Sequence, residues 1–204
     1  MARVRTEDRR RAILEVASEV FLELGYDRAS MSLIAERVGG SKATLYGYFR
    51  SKEDLFLGVM DLEIETNVEK ILGTMLGEPD LARGLTNVGT AYLMQRLSVR
   101  PTRYFRMVSG QSGESEIGKH FYGKVLKPAW MILCRKFEEL MAEGRLRKAD
   151  PWDAAMHFKG LMDFDLVERR LLGAIREGDE KLCREVAAKG VDVFLRAYGP
   201  DAPA

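Results

Sequence analysis

The chain has 204 residues, of which 46% are hydrophobic and 31% charged, a composition typical of a folded globular protein rather than a disordered or fibrous one. Its longest apolar runs, such as residues 129–134, are far shorter than the about 20 residues that a membrane-spanning helix needs. The basic N-terminus lacks the apolar core and cleavage site of a secretory signal. We therefore expect no membrane association and a cytoplasmic location.

The net charge of +1 is unevenly distributed along the chain. Basic residues outnumber acidic ones within residues 1–52, whereas acidic residues outnumber basic ones in the remainder. This asymmetry is expected when only one end of a protein meets phosphate. The arginines at positions 3, 5, 9, 10 and 11 are either a solvated basic tail or contacts to a DNA backbone or minor groove.

Apolar residues recur at helical spacing along the whole chain, without the sustained alternation of a half-buried strand. We therefore expect an all-α fold. Thr6 is expected to cap a first helix that ends at Gly25. A long fourth helix is expected to begin after Ser51, with a start resembling a capping box, and to end near residue 75.

Between these two helices the sequence predicts a helix-turn-helix motif. Ser30 can cap a short second helix, the glycines at 39 and 40 supply a tight turn, and Ser41 can cap a third helix over residues 42–49. Two short helices joined by such a turn cross steeply and leave the second one exposed to a DNA major groove. The alternative is a plain helical hairpin with packed tyrosines, although two buried tyrosines in one short helix would each need a hydroxyl partner.

The segment 44–49 reads Thr-Leu-Tyr-Gly-Tyr-Phe, and residues 51–55 read Ser-Lys-Glu-Asp-Leu. In helix order and in these residues, positions 10–57 closely resemble the TetR (tetracycline repressor) family of transcriptional regulators. The resemblance implies a three-helix DNA-binding domain, placed at residues 1–54, joined to a helical bundle of about five to six helices at 55–204. It also implies Tyr46, Tyr48 and Lys52 as phosphate contacts, with Thr44 beside them.

Gly47 departs from the family pattern, because the residue between the two tyrosines often touches bases there and glycine has no side chain. Base recognition is therefore expected to fall on Lys42, which can donate to guanine, on Ala43, which can touch a thymine methyl, and on Ser32. The predicted DNA-binding residues are Ser32, Lys42, Ala43, Thr44, Tyr46, Gly47, Tyr48 and Lys52.

The C-terminal body is rich in methionine and aromatic residues at helical spacing, most of which we expect in the core. Such residues also line adaptable apolar pockets, so a subset is expected to enclose a small effector. A weaker resemblance, carried by residues 103–106 and 144–158, to the bodies of efflux regulators implies an effector site among the middle helices. The candidate pocket residues are Tyr92, Phe105, Phe121, Tyr122, Trp130, His157 and Met162.

Helix breaks shape the rest of the body. Asp150 followed by Pro151 marks a helix start, and Pro128 is expected to kink a helix over residues 115–143. The final two helices, 151–176 and 180–198, are expected to form a homodimer as a four-helix bundle, because the last helix has a broad apolar surface. The alternative is that this surface docks on its own body. The candidate interface residues are Leu182, Val186, Ala187, Gly190, Val191 and Phe194.

These patterns favour a dimeric repressor that binds a pseudo-palindromic double-stranded DNA operator and is released by a small apolar or aromatic effector. A ligand-independent or activating regulator and, less favoured, an all-helical enzyme remain open. The two histidines, His120 and His157, lie near carboxylates in sequence, but no nucleophile turn or phosphate-binding loop accompanies them. We expect no catalytic residue, no cofactor and no metal site.

Overall fold

The computed structural model describes residues 2–74, 78–110 and 116–200, and these residues form helices and their connections without a strand. The expected all-α fold, with an N-terminal helix-turn-helix and a larger helical body, is confirmed. None of the helices in these ranges is both long and apolar enough to cross a membrane. The α-helices in chain order are α1 (Ala2–Leu24), α2 (Met31–Val38), α3 (Lys42–Tyr48), α4 (Lys52–Gly73), α5 (Leu81–Leu97), α6 (Val99–Ser109), α7 (Glu116–His120), α8 (Lys127–Ala142), α9 (Pro151–Asp163), α10 (Leu166–Leu172) and α11 (Glu180–Tyr198).

The chain divides into two compact units, which we call the head and the body. The head comprises Met1–Glu65 and Arg103–Val125, and the body comprises Thr66–Thr102 and Leu126–Ala204. This division does not follow the consecutive ranges 1–54 and 55–204 expected from the sequence, because the segment Arg103–Val125 packs with the N-terminal helices.

Local side-chain caps explain why the head helices begin where they do. The Oγ atom of Ser30 accepts a hydrogen bond from the Leu33 amide at the start of α2, and that of Ser41 accepts one from Thr44 at the start of α3. Gly39 ends α2 with a φ of 70°, a left-handed conformation that glycine adopts without a steric cost. These three predictions are confirmed.

Helix α4 begins with a variant of the expected capping box. The Asp54 amide donates to Ser51 Oγ at 3.0 Å, while the Asp54 carboxylate accepts from the Arg50 amide at 2.9 Å. The helix ends at Gly73, and the predicted end at residue 75 lies outside the described residues. The cap predicted at Thr6 is wrong, because α1 already begins at Ala2 and no glycine or proline precedes Thr6 to interrupt it.

The body is built around a single apolar cluster. Helix α11 packs against α5 and α9, and α9 also packs against α8. At the centre, the rings of Phe137, Phe158 and Phe194 meet at centroid distances of 5.3–5.7 Å, and Tyr198 stacks on Phe194 at 4.9 Å. Aromatic contacts of this kind stabilise a core beyond the area they bury.

Two predicted helices in the C-terminal half of the chain are interrupted. Before Pro128 the chain forms a π-helical segment, Phe121–Leu126, so the expected kink is a change of helix type, caused by the missing proline N–H and its bulky ring. The predicted helix 151–176 is wrong. Helix α9 ends at Asp163, because Phe164 adopts a positive φ of 36°, and α10 then begins at Leu166.

Candidate nucleic-acid interface

Helix α3 presents almost its whole side-chain surface to solvent. Of its seven residues only Leu45 is buried, and Phe49 follows the helix into the core. These two side chains, at i and i+4, hold the helix on the head, as the spacing predicts. The rest of the α3 surface is therefore accessible to a binding partner.

The residues predicted to contact DNA lie on this exposed face or next to it. Tyr46 is 51% exposed, a large value for an aromatic residue, whereas Tyr48 is half-buried. The side chains of Lys42, Ala43 and the neighbouring Ser32 are exposed. The Thr44 hydroxyl lies 2.9 Å from Ser41 Oγ, so Thr44 takes part in the helix cap at the same time.

The glycines at positions 40 and 47 of the motif have different surroundings. A Cβ atom added at Gly47 would meet nothing within 4 Å, so the site is open and a side chain there would point into free space. A Cβ atom at Gly40 would lie 3.3 Å from Nη2 of Arg9. That guanidinium donates to the Val38 carbonyl, so glycine at position 40 leaves room for a bond between α1 and the end of α2.

Lys52, predicted as a phosphate contact, makes several contacts within the head. Its ammonium group donates to the carbonyl oxygens of Tyr26 at 2.9 Å, Ala29 at 3.2 Å and Asp27 at 3.4 Å. It also lies 4.3 Å above the centre of the Tyr26 ring. An ammonium carries three donors. These contacts tie the start of α4 to the loop between α1 and α2, and the phosphate contact of Lys52 stays a prediction.

The N-terminal arginines are likewise engaged within the head. The Arg10 guanidinium lies 5.2 Å from the centre of the Phe49 ring, and Arg11 pairs with Glu15 on the next turn of α1. Together with the bond of Arg9, these contacts indicate that part of the basic segment holds α1 against the motif. The side chains of Arg3 and Arg5 lie outside the described residues.

An ion pair that the sequence did not single out joins α1 to α2. Arg37 donates to the Glu23 carboxylate at 2.5 Å, and the guanidinium lowers the pKa of Glu23. Both groups are solvent-exposed, so the pair contributes little stability.

Helix α6 also contacts α1 inside the head, which sequence patterns gave no means of predicting. The buried hydroxyls of Ser18 and Tyr104 share a hydrogen bond of 2.6 Å, and Arg103 donates to the Leu22 carbonyl at 2.8 Å. The Tyr104 ring also meets Phe56 of α4 edge-on. Helix α6 begins in the body and ends in the head, so the chain passes from one unit to the other within this helix.

Two family models match the chain along most of its length. Residues 13–59 match the bacterial regulatory proteins of the tetR family, and residues 83–200 match the C-terminal domain of AefR-like transcriptional repressors. The chain belongs to the TetR family. It is therefore a DNA-binding transcriptional regulator, as the resemblance of the motif implies.

Individual relatives agree with this assignment. The TetR-family chain is 41% identical over 148 residues to the HTH-type transcriptional regulator YhgD of Bacillus subtilis, which covers 71% of this chain and 75% of that protein. A match to the HTH-type transcriptional activator FasR of Mycolicibacterium smegmatis is 41% identical over 69 residues, but covers only 34% of this chain and 32% of FasR.

Solved structures share the fold. A TetR-family regulator from Mesorhizobium loti superposes with a TM-score of 0.87 at 23% identity, covering 96% of this chain and 98% of that one. The Flavonoid-responsive Regulator FrrA superposes with a TM-score of 0.80 at 28% identity, covering 96% of this chain and all of that one.

The seven candidate pocket residues of this TetR-family chain are divided between the two units. In the body, Tyr92 and Trp130 meet at a ring distance of 5.3 Å, whereas Phe105 and Phe121 meet at 6.5 Å in the head. The Tyr92 hydroxyl donates to Asp163 at 2.6 Å, and burial is the main cause that raises the Tyr92 pKa well above its usual value.

Three of the pocket predictions need correction. Tyr122 is 52% exposed, and His157 is exposed with its Nδ1 atom 2.6 Å from the Tyr198 hydroxyl. Met162 is fully buried, where it fills the space beside Gly89 and Gly190. These side chains lie on the surface or in the solid core of the units that contain them.

The candidate dimer residues are corrected in the same way. Four of the six are buried within the chain itself, because the apolar stripe of α11 faces α5 and α9. The alternative, docking of this stripe on its own body, therefore holds for them. The two others, Leu182 and Val186, are only partly buried against the core. The four buried residues are Ala187, Gly190, Val191 and Phe194.

Proposed function

We propose that the protein binds an inverted-repeat operator as a homodimer, represses transcription there, and is released by a small apolar or aromatic effector. The observation that carries the proposal is the exposed face of α3. Its side chains offer the groups that contact base edges and phosphates in a major groove. Lys42 supplies a donor for guanine O6 and N7, Ala43 a methyl for thymine, and Tyr46 a hydroxyl for a phosphate oxygen.

One short helix reads too few base pairs to select a site in a genome, so a second copy of the chain is part of the proposal. The body exposes large apolar side chains on neighbouring elements that suit such a contact. Phe164 is 74% exposed, Leu172 78% and Val193 50%. Phe164 is held outward by a positive φ, a costly conformation in a bulky residue, which favours a functional reason for its position.

The proposed interface therefore uses a different face of α11 from the one predicted from the sequence. On α11 an outer stripe runs through the half-buried Val186 and the exposed Val193 rather than through the buried Ala187 and Val191. The exposed Gly160 of α9 has no side chain to hold a partner helix away. We therefore place the two-fold contact on α9, α10 and this outer stripe of α11.

For the effector we propose the corner formed by Tyr92 and Trp130. Its aromatic faces suit a flat apolar molecule, while Asp163 and Lys159, which pair at 2.5 Å, offer an acceptor and a donor. Relatives named for flavonoid response, fatty acid metabolism and A-factor reception make a small organic effector plausible for this chain as well.

Effector binding can lower operator affinity only if the two conformations differ in affinity for it. We propose α4 as one lever for this change, because the chain passes from the head into the body within this helix. The bonds of Tyr104 and Arg103 to α1 favour α6 as a second lever, since the chain also passes between the two units within this helix. We propose that both helices transmit the change.

The proposal is tested by selecting duplexes from a random library with the full-length protein. An inverted repeat should be enriched, and binding to it should weaken steeply with salt. Lack of any enriched repeat would contradict the proposed operator. An Ala43→Asp variant should lose the enriched duplex, whereas Ala188→Asp, an equal change on the exposed face of α11, should retain it.

Activation is the second candidate, because FasR is named as an activator. In vitro transcription from a promoter carrying the selected repeat distinguishes activation from repression. Repression predicts less transcript on addition of the protein, and activation predicts more.

A further inference from the structure

The body contains a groove between α5 and α11 that lies apart from the proposed effector corner and from the proposed dimer stripe. Its volume is about 610 Å³, within the range of small-molecule sites. Four apolar side chains form its floor: Ala82 from α5, and Ala188, Val191 and Leu195 from α11.

The rim of this α5–α11 groove is basic. Three arginines line it against one acidic residue, Asp192. Arg184 crosses from α11 to donate to the Asn87 side chain of α5 at 3.3 Å. Arg83 lies one turn earlier on α5, and Arg196 lies about 18 Å further along α11 than Arg184, at 1.5 Å per residue.

Each rim arginine already has an acidic neighbour, but these pairs leave donors for a ligand. Arg184 pairs with Glu180 at 3.4 Å, Arg196 with Asp192 at 2.8 Å, and Arg83 with Glu78 at 3.4 Å. The arginine side chains are mostly exposed, and such surface pairs contribute little and exchange partners readily. A guanidinium has five donors and binds a carboxylate with two of them.

We infer that the α5–α11 groove binds a small amphipathic carboxylate, with its apolar chain on the alanine, valine and leucine floor and its carboxylate held by the rim arginines. A neutral molecule would form no ion pair with the guanidinium groups, and a cationic one would be repelled by them. The site is independent of the effector corner, and the inference stands whether or not the protein proves to be a repressor.

Isothermal titration of the full-length protein with decanoate tests the inference. We expect saturable binding of one decanoate per chain with a dissociation constant below about 1 mM. Decyltrimethylammonium, which has the same chain length and the opposite charge, should not bind at this concentration. The double variant Arg184→Gln with Arg196→Gln should bind decanoate at least about tenfold more weakly, the loss of a single charge-assisted contact or more.

Arg169→Gln is the matched control, because Arg169 pairs with Asp165 one turn away at 3.3 Å, as Arg184 does with Glu180, but lies on α10 outside the groove. Its affinity for decanoate should equal that of the unaltered chain. Ala188→Phe, which fills the groove from an exposed position, should abolish binding while circular dichroism shows an unchanged helix content.

Four results of the binding experiments would overturn the inference. These are no decanoate binding up to 1 mM, equal binding to the double variant and to Arg169→Gln, equal binding of the cationic analogue, or undiminished binding to a folded Ala188→Phe variant. A fall in sedimentation coefficient of the double variant alone would instead assign the groove to a contact between copies of the chain, which would also contradict a ligand site.

Discussion

Replacing Lys52 by alanine separates the two roles that sequence and structure assign to this side chain. The variant loses an ammonium that donates to carbonyl oxygens of Tyr26, Asp27 and Ala29 and lies over the Tyr26 ring. Hydrogen bonds to a charged group contribute about 1.5–3 kcal/mol, and an exposed cation–π contact about 0.5–1 kcal/mol. Since water can replace part of these contacts, we expect a loss of about 2 kcal/mol.

Native-state hydrogen exchange measures this loss where it occurs. A change of about 2 kcal/mol in local opening corresponds to roughly 30-fold faster exchange, and we expect it for the amides of the loop between α1 and α2 and of the first turn of α2. Lys70→Ala, a change of the same residue type at an exposed position of α4, should leave this exchange unaltered.

The salt dependence of DNA binding tests the alternative role of Lys52, a contact to a phosphate. If Lys52 contacts a phosphate, its loss should reduce the slope of log affinity against log salt by about 0.9 per site without altering loop exchange. A reduced slope combined with unchanged exchange would refute the structural role given to Lys52. Faster exchange with an unchanged slope is the outcome that the geometry predicts.

Three further predictions concern single side chains. Ser41→Ala should destabilise α3 by about 1 kcal/mol through loss of its N-cap, measured as faster exchange in that helix. Tyr104→Phe removes a buried hydrogen bond to α1 and should cost about 1 kcal/mol in thermal unfolding, whereas Tyr122→Phe, at an exposed position, should cost nothing measurable. Burial raises the pKa of Cys183 to about 11 and also raises that of Cys134, so neither thiol should react with a disulfide reagent at pH 8 until urea unfolds the chain.

Local signals account for the parts of the structure that the sequence predicted well. The caps at Ser30 and Ser41 and the left-handed turn at Gly39 depend on interactions within three or four residues, so their patterns are visible in the chain. The buried pair Leu45 and Phe49 follows from helical spacing in the same way. The exposed surface of α3 could therefore be outlined from the sequence alone.

Tertiary contacts account for the parts of the structure that the sequence did not predict. Lys52 lies 23–26 residues away from the carbonyls it binds, and Ser18 lies 86 residues from Tyr104, so no periodicity reveals either bond. The apolar stripe of α11 showed that a partner covers Val191 and Phe194, but a stripe does not identify the partner. The structure assigns it to α5 and α9 of the same chain.

The most direct test of the central claim is an affinity profile over every single-base variant of the selected operator. If α3 reads bases through Lys42, Lys42→Ala should flatten the profile at particular guanine positions, where a bidentate contact contributes about 1–3 kcal/mol of discrimination. Tyr46→Phe should instead lower all affinities by a common factor, because a phosphate contact carries no sequence information. A Lys42→Ala profile parallel to that of the unaltered protein would contradict base recognition by this helix.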